Sequence, residues 1–247
     1  MAHIHNASSK LLLLKHPIKA FQYFTNSKAP LHNKMILSAA KQLLGEKFVT
    51  SEWVEAINEV EQNDFVLPNT SKSAVAGNSI NTLLGKWLYC TVRVIKPEVL
   101  IETGIAHGNS SWVILNAIKK NGKGLLYSFD LPNNDTNADY NFGNRPVETG
   151  WMVPDELRMN WSMVIGDSRE TLPKTLSSLS KVDFFFHDSD HSYEHMMFEF
   201  KTVFPFLNEG GILSSDDINK NSSFQDFVKA NKINSILFTK GGSAIKS

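Results

Sequence analysis

The sequence predicts an α/β protein: a doubly wound, mostly parallel sheet with a helical extension at its N-terminal end. Three observations carry this. Past residue 98, short apolar runs alternate with segments of helical period. The runs are almost continuously apolar, as strands covered on both faces are. Each of the first five ends in a carboxylate or a Gly-Asp pair, at the edge where open α/β sheets bind ligands.

At 247 residues the chain can bury one large core, and 42% hydrophobic with 20% charged residues is ordinary for a globular protein. Lys+Arg and Asp+Glu balance at 25 each, so nothing in the charge points to nucleic acid or an anionic membrane. The lone cysteine, Cys90, excludes an internal disulfide, fits a reducing cytoplasm and reads as a small buried hydrophobe. Leu11–Leu14 is too short to span a bilayer. Residues 1–10 lack a charged n-region, and no small-residue cleavage site follows. The expected location is cytoplasmic.

Residues 1–77 read as the helical extension. Lys34–Gly45 and Ser51–Val60 have helical spacing, Thr50 or Ser51 can cap the second, and Leu67–Ser71 reads as a loop. Glu52, Glu55, Glu59 and Glu61 are expected on a solvated face. The extension would pack on the main domain, contact a second subunit in a homo-oligomer, or cover a substrate. The main domain, 78–247, opens with a helix carrying Ile80, Leu83, Leu84, Trp87, Leu88 and Val92, stopped by Pro97.

A strand from Val99 then runs to Glu102. The helix Ser110–Lys120 follows, with Asn121-Gly122 as its stop. Further strands are expected at Leu125–Phe129, Met163–Ile165, Val182–His187, Gly211–Ser215 and Ile233–Thr239. Helices fit Glu170–Ser178, Ser192–Phe206 and Ser222–Asn231. Between Asp130 and Met163 lies a long polar insertion (132–160) with Tyr140, Phe142 and Trp151, which suits a lid over an acceptor.

The chemistry begins at Glu102, Gly104, Gly108 and Ser110. A buried strand, a tight turn and a helix start would offer N–H groups to a carboxylate or phosphate, with the glycines letting a ligand approach the backbone. An ordinary strand-to-helix turn gives the same pattern. The spacing is G-x-x-x-G, not the G-x-G-x-x-G that grips a pyrophosphate. Asp130, ending the second strand, suits two ribose hydroxyls, and Asp167, ending the third, suits an exocyclic amine such as adenine's. Together these describe an adenosine bearing an amine and a carboxylate.

The run Glu-Thr-Gly-Ile-Ala-His-Gly-Asn-Ser-Ser111, then Ser-Phe-Asp130, then Ile-Gly-Asp-Ser168, resembles the S-adenosylmethionine site of the Rossmann-like class I methyltransferases. The blocks Val182–Glu194 and Leu207–Ile218 are similar to the metal-dependent O-methyltransferases, nearest the macrocin/mycinamicin sugar group and more distantly catechol O-methyltransferase. The resemblance spans about Asn78 to Phe238. It implies that Glu102, Gly104, Gly108 and Ser110 hold the methionine part, Asp130 the ribose, and Asp167 with Ser168 the adenine side. It implies Asp188, Asp216 and Asp217 as ligands of Mg²⁺ or another divalent cation, and His191 as general base. Catechol-type relatives carry lysine and asparagine where this chain has His191 and Asp217, which points to the sugar-modifying branch. The closing Gly241–Ser247 is short for the antiparallel hairpin that such a fold implies, so an abbreviated last edge is expected.

The expected function is metal-assisted O-methyl transfer to a hydroxyl of a sugar or glycosylated small molecule. A hydroxyl must lose its proton to attack a sulfonium methyl; a hard dication lowers its pKa and an imidazole can take the proton. Two rivals stand beside this: an NAD-binding oxidoreductase and a non-catalytic S-adenosylmethionine-binding module. Blander roles also stand for single residues. Asp216-Asp217 could cap the next helix, Asp190 could be an N-cap, His187 a satisfied buried histidine, His107 a space filler, and His191 with His195 a zinc pair.

Overall fold

The computed structural model describes residues 29–62, 64–66, 80, 82–132, 141–142, 145–146 and 148–247. In chain order it gives α1 (Ala29–Leu44), α2 (Ser51–Glu61), α3 (Leu83–Ile95), β1 (Val99–Thr103), α4 (Asn109–Asn121) and β2 (Leu125–Asp130). A small hairpin, β3 (Asn141–Phe142) and β4 (Arg145–Pro146), precedes β5 (Trp161–Ile165) and α5 (Ser168–Ser178). Then come β6 (Val182–His187), α6 (Tyr193–Val203), β7 (Leu207–Ser215), α7 (Ser223–Asn231), β8 (Asn234–Leu237) and β9 (Gly242–Ile245).

Seven strands form one sheet in the order β5-β2-β1-β6-β7-β9-β8. All neighbours pair parallel except β9, which runs antiparallel to β7 and β8. This is the doubly wound architecture that the sequence predicts. The closing hairpin is present although the tail is short. Four residues of β9 fit between β7 and β8, and Ser243 Oγ bonds both Ser214 Oγ (2.6 Å) and Trp87 Nε1 (2.8 Å).

Both sheet faces are covered, which explains the continuous apolar strands. Leu100, Phe184, Phe186 and Ile212 face α1 to α4, whereas Ile101, Phe185 and Leu213 face α5 to α7. Successive side chains alternate between the two cores, as a strand's period of two requires. The helix α3 is apolar almost all round because it is wrapped by α2 and α4 and packs Trp87 against Trp53 with centroids 5.6 Å apart. Thr82 caps it, accepting the Gly85 N–H at 2.9 Å.

The extension departs from expectation at one acid. Glu52, Glu55 and Glu61 are exposed, but Glu59 is buried. Its carboxylate accepts Arg93 Nε and Nη2 at 2.7 and 2.8 Å and the Tyr89 hydroxyl at 2.8 Å, clamping α2 to α3. A forked guanidinium pair lets a carboxylate enter the interior. Thr50 occupies the N-cap position of α2 without a side-chain cap bond. Cys90 is buried as expected. No helix among the described residues is long and apolar enough to cross a membrane. The Leu67–Ser71 loop and residues 1–28 lie outside the described residues.

Candidate active site

Because β5, β2, β1, β6 and β7 are adjacent and parallel, their C-terminal ends share one edge. A cleft of about 270 Å³ opens there, lined among others by Gly104, Asp130, Asp167, Ser168, Asp188 and His195. It sits at the switch point between β1 and β6, where chain order reverses.

Gly104 is required by the sheet. It holds φ +85°, and a Cβ there would fall 2.0 Å from the Asp188 carbonyl oxygen. The ends of β1 and β6 therefore touch through backbone. Asp130 organises the turn: its Oδ2 accepts the N–H groups of Ile105 (2.9 Å) and Ala106 (2.7 Å), and its Oδ1 that of Leu131 (2.7 Å). Those bonds support Ala106 in the left-handed region at φ 46°. Asp167 caps α5 through the Arg169 N–H at 2.8 Å while lining the cleft.

Glu102, Gly108 and Ser110 do not line the cleft. β1 continues one residue past Glu102, and the Glu102 side chain turns into the layer beneath α4. There it is fully buried and accepts the hydroxyls of Ser111 and Ser128 at 2.6 Å each. Burial pushes its carboxyl above the ordinary carboxylate range. The start of α4 is covered by the end of the insertion. Gly150 N donates to Ala106 O (2.8 Å), Met152 N to His107 O (3.1 Å), and Trp151 Nε1 to His107 Nδ1 (2.9 Å). A Cβ on Gly108 would lie 2.9 Å from Val153 Cγ2, so this glycine admits protein, where the sequence suggested a ligand. Ser110 is buried beside it.

The main polar hub is Glu199 on α6, fully buried. It accepts Thr103 Oγ1 (2.6 Å), Ser168 Oγ (2.7 Å), His187 Nδ1 (2.6 Å), His195 Nε2 (2.9 Å) and Ser189 Oγ (3.0 Å). It thus ties the ends of β1, β5 and β6 under the cleft. Burial alone would raise its pKa, but the hydrogen bonds from His187 and His195 outweigh this and hold it far below the carboxylate range. The same bond raises His195 above its ordinary value. His187 is buried as the sequence allowed for but only half satisfied, its Nδ1 bonded to Glu199 and its Nε2 without a partner among the described residues, whereas Glu199 escaped attention. Its signal was an acid on the apolar face of α6, one turn after His195.

Past β6, Ser192 is the N-cap of α6, not Asp190; Asp190 instead accepts the Ser192 N–H at 2.8 Å. His191 lies before the helix, so it and His195 share no helical face. His191 Nε2 lies 3.6 Å from Asp188 Oδ1 and 4.0 Å from Asp217 Oδ2. Asp216 and Asp217 do not cap α7, which begins at Ser223 with Ser222 at its N-cap position. Lys220 Nζ meets Asp217 Oδ2 at 2.8 Å. The strand ends thus bring Asp188, Asp216 and Asp217 to one side, but the side chains do not fit a divalent ion as arranged. Among the described residues no three His, Cys, Asp or Glu side chains are grouped to hold one, and Asp217 is already paired with an ammonium.

Residues 101–218 match the family described as methyltransferase domain. The match takes in a little under half of the chain. It runs from β1 to the acid turn after β7 and contains every residue of the cleft. No curated protein matches the sequence. Among solved structures, the S-adenosylhomocysteine-bound methyltransferase PaMTH1 of Podospora anserina is 12% identical, with 80% of this chain and 88% of that chain covered and a TM-score of 0.51. The O-methyltransferase TomG of Streptomyces achromogenes, involved in tomaymycin synthesis and solved with S-adenosylmethionine, is 14% identical over 80% and 91%, at 0.51. These likenesses show the fold, the Rossmann-like sheet of the class I methyltransferases. MycE of the mycinamycin pathway, solved with Mg and S-adenosylhomocysteine, is 13–14% identical over 64% of this chain and 46–47% of that chain, at 0.44–0.45 across the two forms compared. At that score the likeness does not distinguish the sugar-modifying branch of the methyltransferase domain.

Proposed function

We propose that this chain transfers the methyl group of S-adenosylmethionine to a hydroxyl oxygen of a small-molecule acceptor. The observation that carries the reading is the cleft within the matched region, which brings Asp130, Asp167, Ser168 and Asp188 together along its lining. Asp130 keeps a lone pair on Oδ1 for a ribose hydroxyl after its three backbone bonds. Asp167 and Ser168 lie toward the adenine, and Gly104 with the Asp130-braced turn toward the methionine. Glu102, Gly108 and Ser110 support that turn from behind.

The cofactor supplies an electrophilic sulfonium methyl. His191, on the loop beside the cleft-lining Asp188, takes the acceptor's hydroxyl proton, with the Asp188 carboxylate 3.6 Å from its Nε2 to stabilise the imidazolium. The new O–CH₃ bond forms as the S–CH₃ bond breaks, and the proton stays on His191 until it passes to solvent. His191 with Asp217 supports a sugar-bearing acceptor, being the pair by which the sequence resembles the sugar group. The docking of 150–153 on His107 supports a lid role for the insertion, whose residues 133–140, 143–144 and 147 lie outside the described ones.

The test is transfer of labelled methyl from S-adenosylmethionine to a panel of hydroxyl acceptors that includes glycosides. Expected is acceptor-dependent product, with His191→Gln lowering kcat by roughly 10²–10⁴ and leaving cofactor affinity unchanged. Cofactor binding without transfer to any acceptor supports the binding-module rival; NAD binding in its place supports the oxidoreductase.

A further inference from the structure

We propose that Lys220 is a tethered cation that neutralises the acid turn after β7 and excludes divalent metal ions from it. The backbone does what a metal site needs: β6 and β7 pair side by side, and Asp216 N donates to His187 O at 2.9 Å, so Asp188, Asp216 and Asp217 leave adjacent strand ends. The charge they present is answered from within the chain. Lys220 Nζ stands 2.8 Å from Asp217 Oδ2, and His191 Nε2 lies between Asp188 and Asp217.

The turn is built to keep the lysine there. Asp217 takes a left-handed φ of 48°, and Lys220 N donates back to Asp217 O at 2.9 Å. The next residue fastens this turn to the other acid loop, because Asn221 Nδ2 donates to His191 O at 2.8 Å. Its Oδ1 meanwhile accepts the Ser223 N–H at 2.8 Å and fixes the start of α7. Lys220 is thus pinned beside Asp217, whose side chain is only 18% exposed.

A hard dication needs about six oxygen ligands near ~2.0–2.1 Å, usually one or two carboxylates plus water. To bind here it must displace an ammonium in contact with Asp217 and place two positive charges next to Lys220. One of the three carboxylate charges, that of Asp217, is already met by the lysine. The inference rests on the proposed function only in taking this as the acceptor end of the cleft; the exclusion itself involves neither acceptor nor turnover.

The experiment titrates the full chain with Mn²⁺ alone, reading free ion by electron paramagnetic resonance. It compares wild type, Lys220→Met, Lys220→Gln and Lys220→Met/Asp217→Asn. Lys220 is half exposed, so its variants should fold; circular dichroism verifies this. Expected is at least tenfold tighter Mn²⁺ binding for both single variants, and loss of that gain in the double. Equal affinity in wild type and the single variants, whether tight or beyond detection, overturns the proposal. S-adenosylhomocysteine binding is measured on the same samples. Its absence contradicts the proposed function and leaves the Mn²⁺ comparison standing.

Discussion

Glu199 and His187, both fully buried, meet at 2.6 Å between Oε2 and Nδ1, and the same carboxylate accepts His195 one turn earlier on α6. A single acid therefore fixes two histidines and, through Thr103, Ser168 and Ser189, three strand ends. Removing one partner of a buried charged pair leaves the rest uncompensated, at a cost of ~3–5 kcal/mol. Glu199→Ala is expected to lower stability by about that amount in urea denaturation and to weaken cofactor binding, since Ser168 and His195 line the cleft.

The same contact sets a pH dependence. His195 is raised above its ordinary 6.5 by the Glu199 bond, so its contribution is complete below pH 6.5 and lost as pH rises through the raised value. Glu199 is lowered from 4.5 in spite of burial, by His187 and His195. Its contribution is complete above pH 4.5 and lost as pH falls through the lowered value. The stability difference between wild type and Glu199→Gln should be greatest between pH 4.5 and 6.5 and shrink on the alkaline side. Thermal melts across pH 4 to 9 measure it (a range of ordinary buffers).

The two turn glycines should fail differently. An alanine at Gly104 would press on the Asp188 backbone at 2.0 Å, which cannot yield without parting β1 from β6. Gly104→Ala is expected to abolish soluble folded protein. At Gly108 the nearest obstacle is the Val153 side chain at 2.9 Å, with a left-handed φ of 92° adding strain. Gly108→Ala should cost ~1–3 kcal/mol, and Gly108→Ala/Val153→Ala should recover part of it relative to the sum of the singles.

Asp167 both caps α5 and lines the cleft. Asp167→Ala should cost ~1 kcal/mol as a lost cap. Asp167→Ser keeps a cap but not the carboxylate, so it should restore stability without restoring cofactor affinity. Equal affinity of Asp167→Ser and wild type would remove Asp167 from the adenine side.

The strands were legible because burial on both faces writes them as apolar runs, and the shared edge because each run ends in an acid. What a backbone approach demands was not legible. Gly108 reads as ligand space, but the neighbours it admits are Gly150 and Val153, and Gly104 borders the Asp188 backbone as well as the cleft; these neighbours lie far along the chain. Glu102 looked like a strand-end acid because one more residue of strand decides which face it takes. Glu59 and Glu199 were hidden for a common reason: their partners, Arg93 and His187, are brought to them only by packing. Lys220 stood three residues from Asp217, near enough to be seen, but a lysine in a polar turn carries no mark of where it points.

The central claim is that the cleft holds S-adenosylmethionine, and calorimetric titration of the full chain with S-adenosylhomocysteine tests it most directly. The account predicts one equivalent bound, affinity lost by tenfold or more in Asp130→Ala, and no heat from NAD. Absence of binding by the folded wild-type protein, or NAD binding in its place, would contradict it.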